Sequence, residues 1–168
     1  MPTGISFDTA TGAISGTPTT PLTRTQYTIT AANSGGSATV DINITVNDIA
    51  PAISYSLNDI TATLGVAITP HSSPSNSGGA ATSWEISPNP GSAFHFNQAN
   101  GVISGTPGVL LSRTEYTIYA NNSGGSSVAY VNVTVNDIPP NTIIYSPHTM
   151  TLEKDTLMSP ITPTTAGG

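Results

Sequence analysis

Tyr116-Thr-Ile-Tyr-Ala-Asn-Asn-Ser-Gly-Gly-Ser-Ser-Val-Ala-Tyr-Val-Asn-Val-Thr-Val135 is the stretch that decides the fold class. Tyr116, Ile118 and Ala120 alternate with Thr117 and Tyr119, and Val131, Val133 and Val135 alternate with Asn132, Thr134 and Asn136. Successive side chains of an extended backbone point to opposite faces, so alternation at period two predicts strands with one face buried and one wet. Between the runs, Asn122-Ser-Gly-Gly125 supplies residues that accept positive φ, as a tight hairpin requires. The pattern places Ile118, Val131 and Val133 in a core and Thr117, Asn132 and Thr134 in solvent.

Working outward, the same text occurs earlier in the chain. Arg24-Thr-Gln-Tyr-Thr-Ile-Thr30, Asn33-Ser-Gly-Gly-Ser37 and Thr45-Val-Asn-Asp-Ile49 return 89 residues later as Arg113-Thr-Glu-Tyr-Thr-Ile-Tyr119, Asn122-Ser-Gly-Gly-Ser126 and Thr134-Val-Asn-Asp-Ile138. Gly12-Ala-Ile-Ser-Gly-Thr-Pro18 returns at the same offset as Gly101-Val-Ile-Ser-Gly-Thr-Pro107. Four blocks in one register exclude chance. A period of that size is too long for a solenoid turn and suits one small sandwich domain. Prolines in Ile49-Ala-Pro51 and Ile138-Pro-Pro140 mark the boundaries, since proline removes a ladder donor and stiffens a linker. Residues 51–138 are then one complete repeat, residues 1–50 the back part of another, and residues 139–168 the front part of a third. In the last piece Tyr145 and Met150 to Pro160 echo Tyr55 and Ile60 to Pro70, with one inserted residue.

Further short runs lie at Ile53–Ser56, Ile60–Ile68, Ser83–Ser87, Ala93–Phe96 and Val102–Ser104, which gives seven expected strands per repeat. No window carries the i, i+3, i+4, i+7 spacing of a helix face. The expected fold is all-β: tandem immunoglobulin-like, or cadherin-like, antiparallel β-sandwich repeats of about 89 residues.

Phe7-Asp-Thr-Ala-Thr-Gly-Ala-Ile-Ser-Gly-Thr-Pro18, Tyr27-Thr-Ile-Thr-Ala31, Asn33-Ser-Gly-Gly-Ser37 and Ile44-Thr-Val-Asn-Asp48 together resemble the "putative Ig domains" of bacterial surface proteins. They are also similar to the dystroglycan-type cadherin-like domains. Phe96-Asn-Gln-Ala-Asn-Gly-Val-Ile-Ser-Gly-Thr-Pro107 carries the same resemblance in the second copy. The resemblance covers essentially the whole chain. It implies an extracellular or cell-surface location and a role as a spacer in long surface proteins, and it says little about ligand.

Composition narrows the function classes. Among 168 residues only 7% are charged, with 3 Lys plus Arg against 9 acidic residues and a net charge of −6. Arg24, Arg113 and Lys154 cannot neutralise a phosphate track, so nucleic-acid binding is not expected. The acidic balance disfavours anionic lipid, and no apolar run reaches the roughly 20 residues of a membrane span. There is no cysteine, so each domain is held by its core alone. Met1 leads directly into Pro-Thr-Gly-Ile-Ser-Phe7 without a signal-peptide pattern, and export is expected to use a signal outside this sequence.

Candidate sites are few. His71, His95 and His148 stand in unrelated contexts without spaced carboxylate partners, and solvent-facing roles are expected for them. No Gly-x-Ser-x-Gly elbow is present, and Ser15 and Ser104 belong to the repeated turn motif, so no catalytic residue is expected. Trp84, the single Trp, is expected in the sandwich core rather than as an exposed sugar platform. Asp8 and its counterpart Asn97 are expected to shape the turn before Gly12 and Gly101. Cadherin-type linkers hold calcium on Asn and Asp. The resemblance therefore makes Asp48 and Asp137, at the two junctions, the candidate metal ligands, although the further acidic clusters such a site needs are missing. The alternative is a turn-capping role for both. No other cofactor is expected. An isopeptide cross-link needs a buried Lys, and Lys154 lies outside the complete repeat. Asn43, Asn121 and Asn132 head Asn-x-Ser/Thr triplets, as richness in Asn and Thr produces by itself. Tyr119 and Tyr130 face outward and replace Thr30 and Asp41 of the first copy, which makes them the candidate contacts for a glycan or host protein.

Three functional readings follow: a structural stalk or filament repeat, a glycan- or protein-binding adhesive module, and an accessory domain of a larger secreted enzyme. The first is preferred. The two partial repeats together lack only the counterpart of about Ala80–Pro90, which carries Trp84. Either the two pieces are fragments of repeats cut without regard to domain borders, or one chain's front part completes the back part of the next, a head-to-tail contact that does not close on itself. Closure within one chain is a third reading, opposed by the complete repeat that lies between the pieces.

Overall fold

Alternating runs become long strands, and turn-rich stretches become short ones. The computed structural model describes residues 1–166, and every regular element among them is a strand. The first partial repeat makes two antiparallel hairpins. In one, β1 (Ile5–Phe7) pairs with β2 (Ile14–Gly16); in the other, β3 (Leu22–Asn33) pairs with β4 (Gly36–Val46). The complete repeat holds β5 (Ile53–Tyr55), β6 (Asp59–Thr63), β7 (Pro74–Asn76), β8 (Ser83–Ser87), β9 (His95–Phe96), β10 (Ile103–Ser104), β11 (Leu111–Asn122) and β12 (Gly125–Asn136). The last piece adds β13 (Thr142–Ile144), antiparallel to β14 (Thr164–Ala166). No helix among the described residues is long and apolar enough to cross a membrane.

The complete repeat is a two-layer sandwich. One sheet runs β6-β12-β11-β8. In the other layer β5 pairs with β7, the Ser72–Ile103 bridge joins that pair to β10, and β10 pairs with β9. Ile103, Ile118, Val131 and Val133 lie between the layers with no exposed surface, and Trp84, Phe94, Phe96 and Tyr116 pack around them. Phe94 and Tyr116 meet edge to face at 4.9 Å, which sets a positive ring edge against a negative ring face.

Four expectations need correction. The repeat has eight strands rather than seven. The addition is β7, a Pro-Ser-Asn segment without alternating apolar residues, held by backbone pairing and the Ser54–Ser75 hydroxyl contact of 2.8 Å. The sandwich is not wholly antiparallel: β6 lies parallel to β12, with Ile60 opposite Val133. It follows β5 after three residues and crosses to the other layer. The run expected over Ile60–Ile68 stays in strand only to Thr63, where a turn takes over and Val66 N donates to Thr63 O at 3.1 Å. Finally, Thr117, Asn132 and Thr134 are half-buried rather than solvent-facing. They sit on strands flanked on both sides, and Thr117 stands directly opposite the large side chain of Tyr130.

The first copy forms the same β3–β4 register as β11–β12, shifted by 89 residues, down to the irregularity between Leu22 and Thr25 and between Leu111 and Thr114. Its inward residues fare differently. Tyr27, Ile29, Ile42, Ile44 and Val46 are only half-buried, and Val40 is 57% exposed, where its counterpart Ala129 is 9% exposed. Among the described residues β4 pairs with β3 alone.

Candidate functional site

The junction between repeats is closed by hydrogen bonds and by close backbone approach. β4 ends at Val46, and Asn47 alone separates it from a linker bonded to the next repeat. Asp48 N donates to Ser123 Oγ at 3.0 Å, and Asn122 Nδ2 donates to Ile49 O at 2.7 Å. Gly79 N donates to Ala50 O at 3.0 Å, and Ala52 N donates to Asn76 Oδ1 at 2.9 Å. The Asn122 amide also donates to Ala80 O at 3.0 Å and accepts from Gly124 N at 2.8 Å, so both its ends are fixed.

Glycine makes this approach feasible. A Cβ at Gly79 would stand 1.9 Å from Ile49 O, and one at Gly124 would stand 1.9 Å from Asp48 O. No real side chain fits at that distance, and the linker backbone lies directly on the turn of the following repeat. Asn122-Ser-Gly-Gly125 forms the hairpin its sequence predicts and has this second task besides. No separate signal marked that task, because the same Asn and first glycine close the hairpin turn itself, as in the first copy, where Asn33 Oδ1 accepts from Gly35 N at 2.8 Å.

The candidate calcium ligands sit apart, one at each junction. Asp48 is exposed and acts through its backbone amide, while Asp137 Oδ1 accepts from Ile138 N at 2.8 Å. No group of three or more His, Asp or Glu side chains among the described residues is placed to share a metal ion. One carboxylate with neutral neighbours does not fit the six to eight oxygens calcium takes. Asp8 has the turn role: its carboxylate accepts from Ala10 N at 2.8 Å and from Thr11 N at 3.3 Å. The Thr11 hydroxyl, and then these two amides, hold it below the usual carboxylate range. Asn97 does the same without charge, its Oδ1 accepting from Ala99 N at 2.9 Å.

The outer face of the four-stranded sheet carries the aromatic candidates. Tyr119 is 37% exposed and stands between Val128 and Glu85, and Tyr130 is 57% exposed opposite Thr117. In the first copy the same places hold Thr30, Thr39 and Asp41, and Asp41 accepts from Gln26 Nε2 at 2.9 Å and Thr28 Oγ1 at 2.6 Å. One face is thus aromatic in one repeat and a polar network in the other. Trp84 is a core residue, 8% exposed, and lies on Gly101, where a Cβ would come within 2.5 Å of its Cε3. His71, His95 and His148 are exposed and lie on separate segments.

Two layers of strands, repeated at a fixed offset and joined by a short bonded linker, define a tandem Ig-like β-sandwich protein. The chain belongs to the family described as "Putative Ig domain", whose model matches residues 1–47 and 50–136. No curated protein matches it at a significant level. Similar solved structures include Drosophila OTK extracellular domains 3-5, at 18% identity and a TM-score of 0.46 over 80% of this chain and 47% of that one. An I-band fragment of titin is similar at 16% identity and a TM-score of 0.45 over 74% and 46%. The N-terminal four Ig domains of Dscam1 isoform 1.9 follow at 15% identity and a TM-score of 0.39 over 66% and 27%. The chain therefore spans less than half the length of each of these three structures.

Proposed function

We propose that this chain is a non-catalytic structural repeat of a bacterial extracellular stalk or filament, and that copies associate head to tail without a cofactor. One observation carries the reading: the linker Asp48–Ala52 is bonded to the following repeat at residues 48, 49, 50 and 52, with only Asn47 between it and β4. A joint with one free residue transmits orientation from repeat to repeat, which a spacer needs and a flexible tether would not provide. Electron microscopy of the full chain over a concentration series tests this reading. Thin unbranched strands that lengthen with concentration are expected, and isolated particles at every concentration would contradict it.

The aromatic patch supports a second reading, a glycan- or protein-binding role confined to the complete repeat. Tyr119, Val128 and Tyr130 present apolar area where the first copy presents Thr30, Thr39 and Asp41. Glycan-array binding lost in a Tyr119→Thr, Tyr130→Asp variant would support it, and binding that survives the exchange would remove this face from consideration.

A further inference from the structure

We propose that residues Thr149–Glu153 of one copy add to the free edge of β4 of a second copy as a parallel strand, with Met150 opposite Ile44 and Leu152 opposite Val46. The proposal rests on the head-to-tail reading above and names its register.

The complete repeat supplies the template. There β6 lies parallel to β12, pairing Ile60 with Val133 and Ala62 with Val135. Moving 89 residues back along the repeat turns Val133 and Val135 into Ile44 and Val46 of β4. Moving 90 forward, to allow for the inserted residue, turns Ile60 and Ala62 into Met150 and Leu152. Both halves of this second pair are unsatisfied among the described residues. β4 has no partner on its outer edge, and Met150 and Leu152 are 47% and 63% exposed, while Ile60 and Ala62 are 4% and 8% exposed. An open strand edge and a segment whose alternate side chains, Met150 and Leu152, are apolar and uncovered are what β-augmentation uses.

The turn that follows fixes the register independently. After β6, Val66 N donates to Thr63 O at 3.1 Å around Gly65, whose φ is +70°. At the matching place Thr156 N donates to Glu153 O at 3.3 Å around Asp155, whose φ is +64°. A non-glycine residue rarely adopts that conformation, so the tail keeps the shape of the β6 turn before any partner is present. In the complete repeat this turn locks onto the sheet: Leu64 N donates to Asn136 O, Gly65 N to Pro107 O and Ile68 N to Gly105 O, at 2.8 to 2.9 Å. The same three bonds in the joint run from Lys154 to Asn47, from Asp155 to Pro18 and from Met158 to Gly16. The bridge from Ser72 to Ile103 becomes one from Thr162 to Ile14.

Absence of native cysteine gives a clean test. A full-length Thr45→Cys, Thr151→Cys variant, mildly oxidised, is expected to form a covalent ladder of dimers, trimers and longer chains on a non-reducing gel. In a Thr45→Cys, Thr149→Cys variant the two Cα atoms stand two residues out of register, about 8 Å apart, beyond disulfide reach. At least about tenfold less ladder is expected there. Sedimentation of the native chain is run alongside. Oligomers with no ladder, an equal ladder from both variants, or an internally cross-linked monomer would overturn the register. Absence of oligomers in the native chain would overturn the head-to-tail reading itself. A Met150→Asp, Leu152→Asp variant covers failure of the cysteine variants: it is expected to sediment as a monomer while the melting of residues 51–138 is unchanged, and oligomers that persist would overturn the proposal.

Discussion

Asn122 makes three hydrogen bonds through one amide, while Asn33, its counterpart in the first copy, accepts only from Gly35 N at 2.8 Å. Asn122→Ala is therefore expected to destabilise the junction by about 1 kcal/mol, since the carbonyls of Ile49 and Ala80 that lose its donor are solvent-accessible and only the net worth of the hydrogen bonds is lost. Asn33→Ala is expected to leave the main melting transition unchanged, and differential scanning calorimetry separates the two. Tyr55 gives a pH signature. Its hydroxyl donates to the Gly101 carbonyl, and burial pushes it well above the ordinary phenol range. A group whose folded value is raised contributes stability that is fully present below its unfolded value, about 10, and is lost as pH rises beyond that. Melting temperature is expected to fall steeply above about pH 10, with a shallower fall in Tyr55→Phe; identical slopes would remove Tyr55 as the cause.

Among the elements, β3, β4, β11 and β12 were legible because long alternating runs leave one choice of buried face. That is why Ile118, Val131 and Val133 fall in the core as the alternation requires. The parallel placement of β6 was not legible, because alternation fixes a face and says nothing of a neighbour's direction. β7 was not legible either: Pro74-Ser-Asn76 owes its strand to backbone partners and hydroxyls rather than to apolar side chains. The Asn122 clamp was hidden for a related reason, since its partners are backbone carbonyls, which every residue carries. Position within an element also sets the cost of a mutation. Val133 is fully buried and Ile44, its counterpart, is half-buried. Val133→Ala is expected to cost about 2 kcal/mol through transfer and cavity terms. Ile44→Ala, outside that core, is expected to leave the transition in place. Chemical denaturation of both variants measures the contrast.

For the whole molecule, the proposed reading has the repeats held in orientation by bonded backbone and glycine contacts rather than by an ion. EDTA is expected to shift the melting temperature by less than about 5 °C; a larger shift would signal a bound metal worth on the order of 1 kcal/mol or more and would return Asp48 and Asp137 to the junction as ligands. Head-to-tail association, as proposed above, runs through the two partial repeats. Sedimentation velocity of the full chain beside a variant lacking residues 139–168, each over a hundredfold range of concentration, tests it most directly. The full chain is expected to sediment as species growing with concentration, and the deletion as a single monomer. A full chain that stays monomeric throughout, or a deletion that assembles equally well, would contradict it.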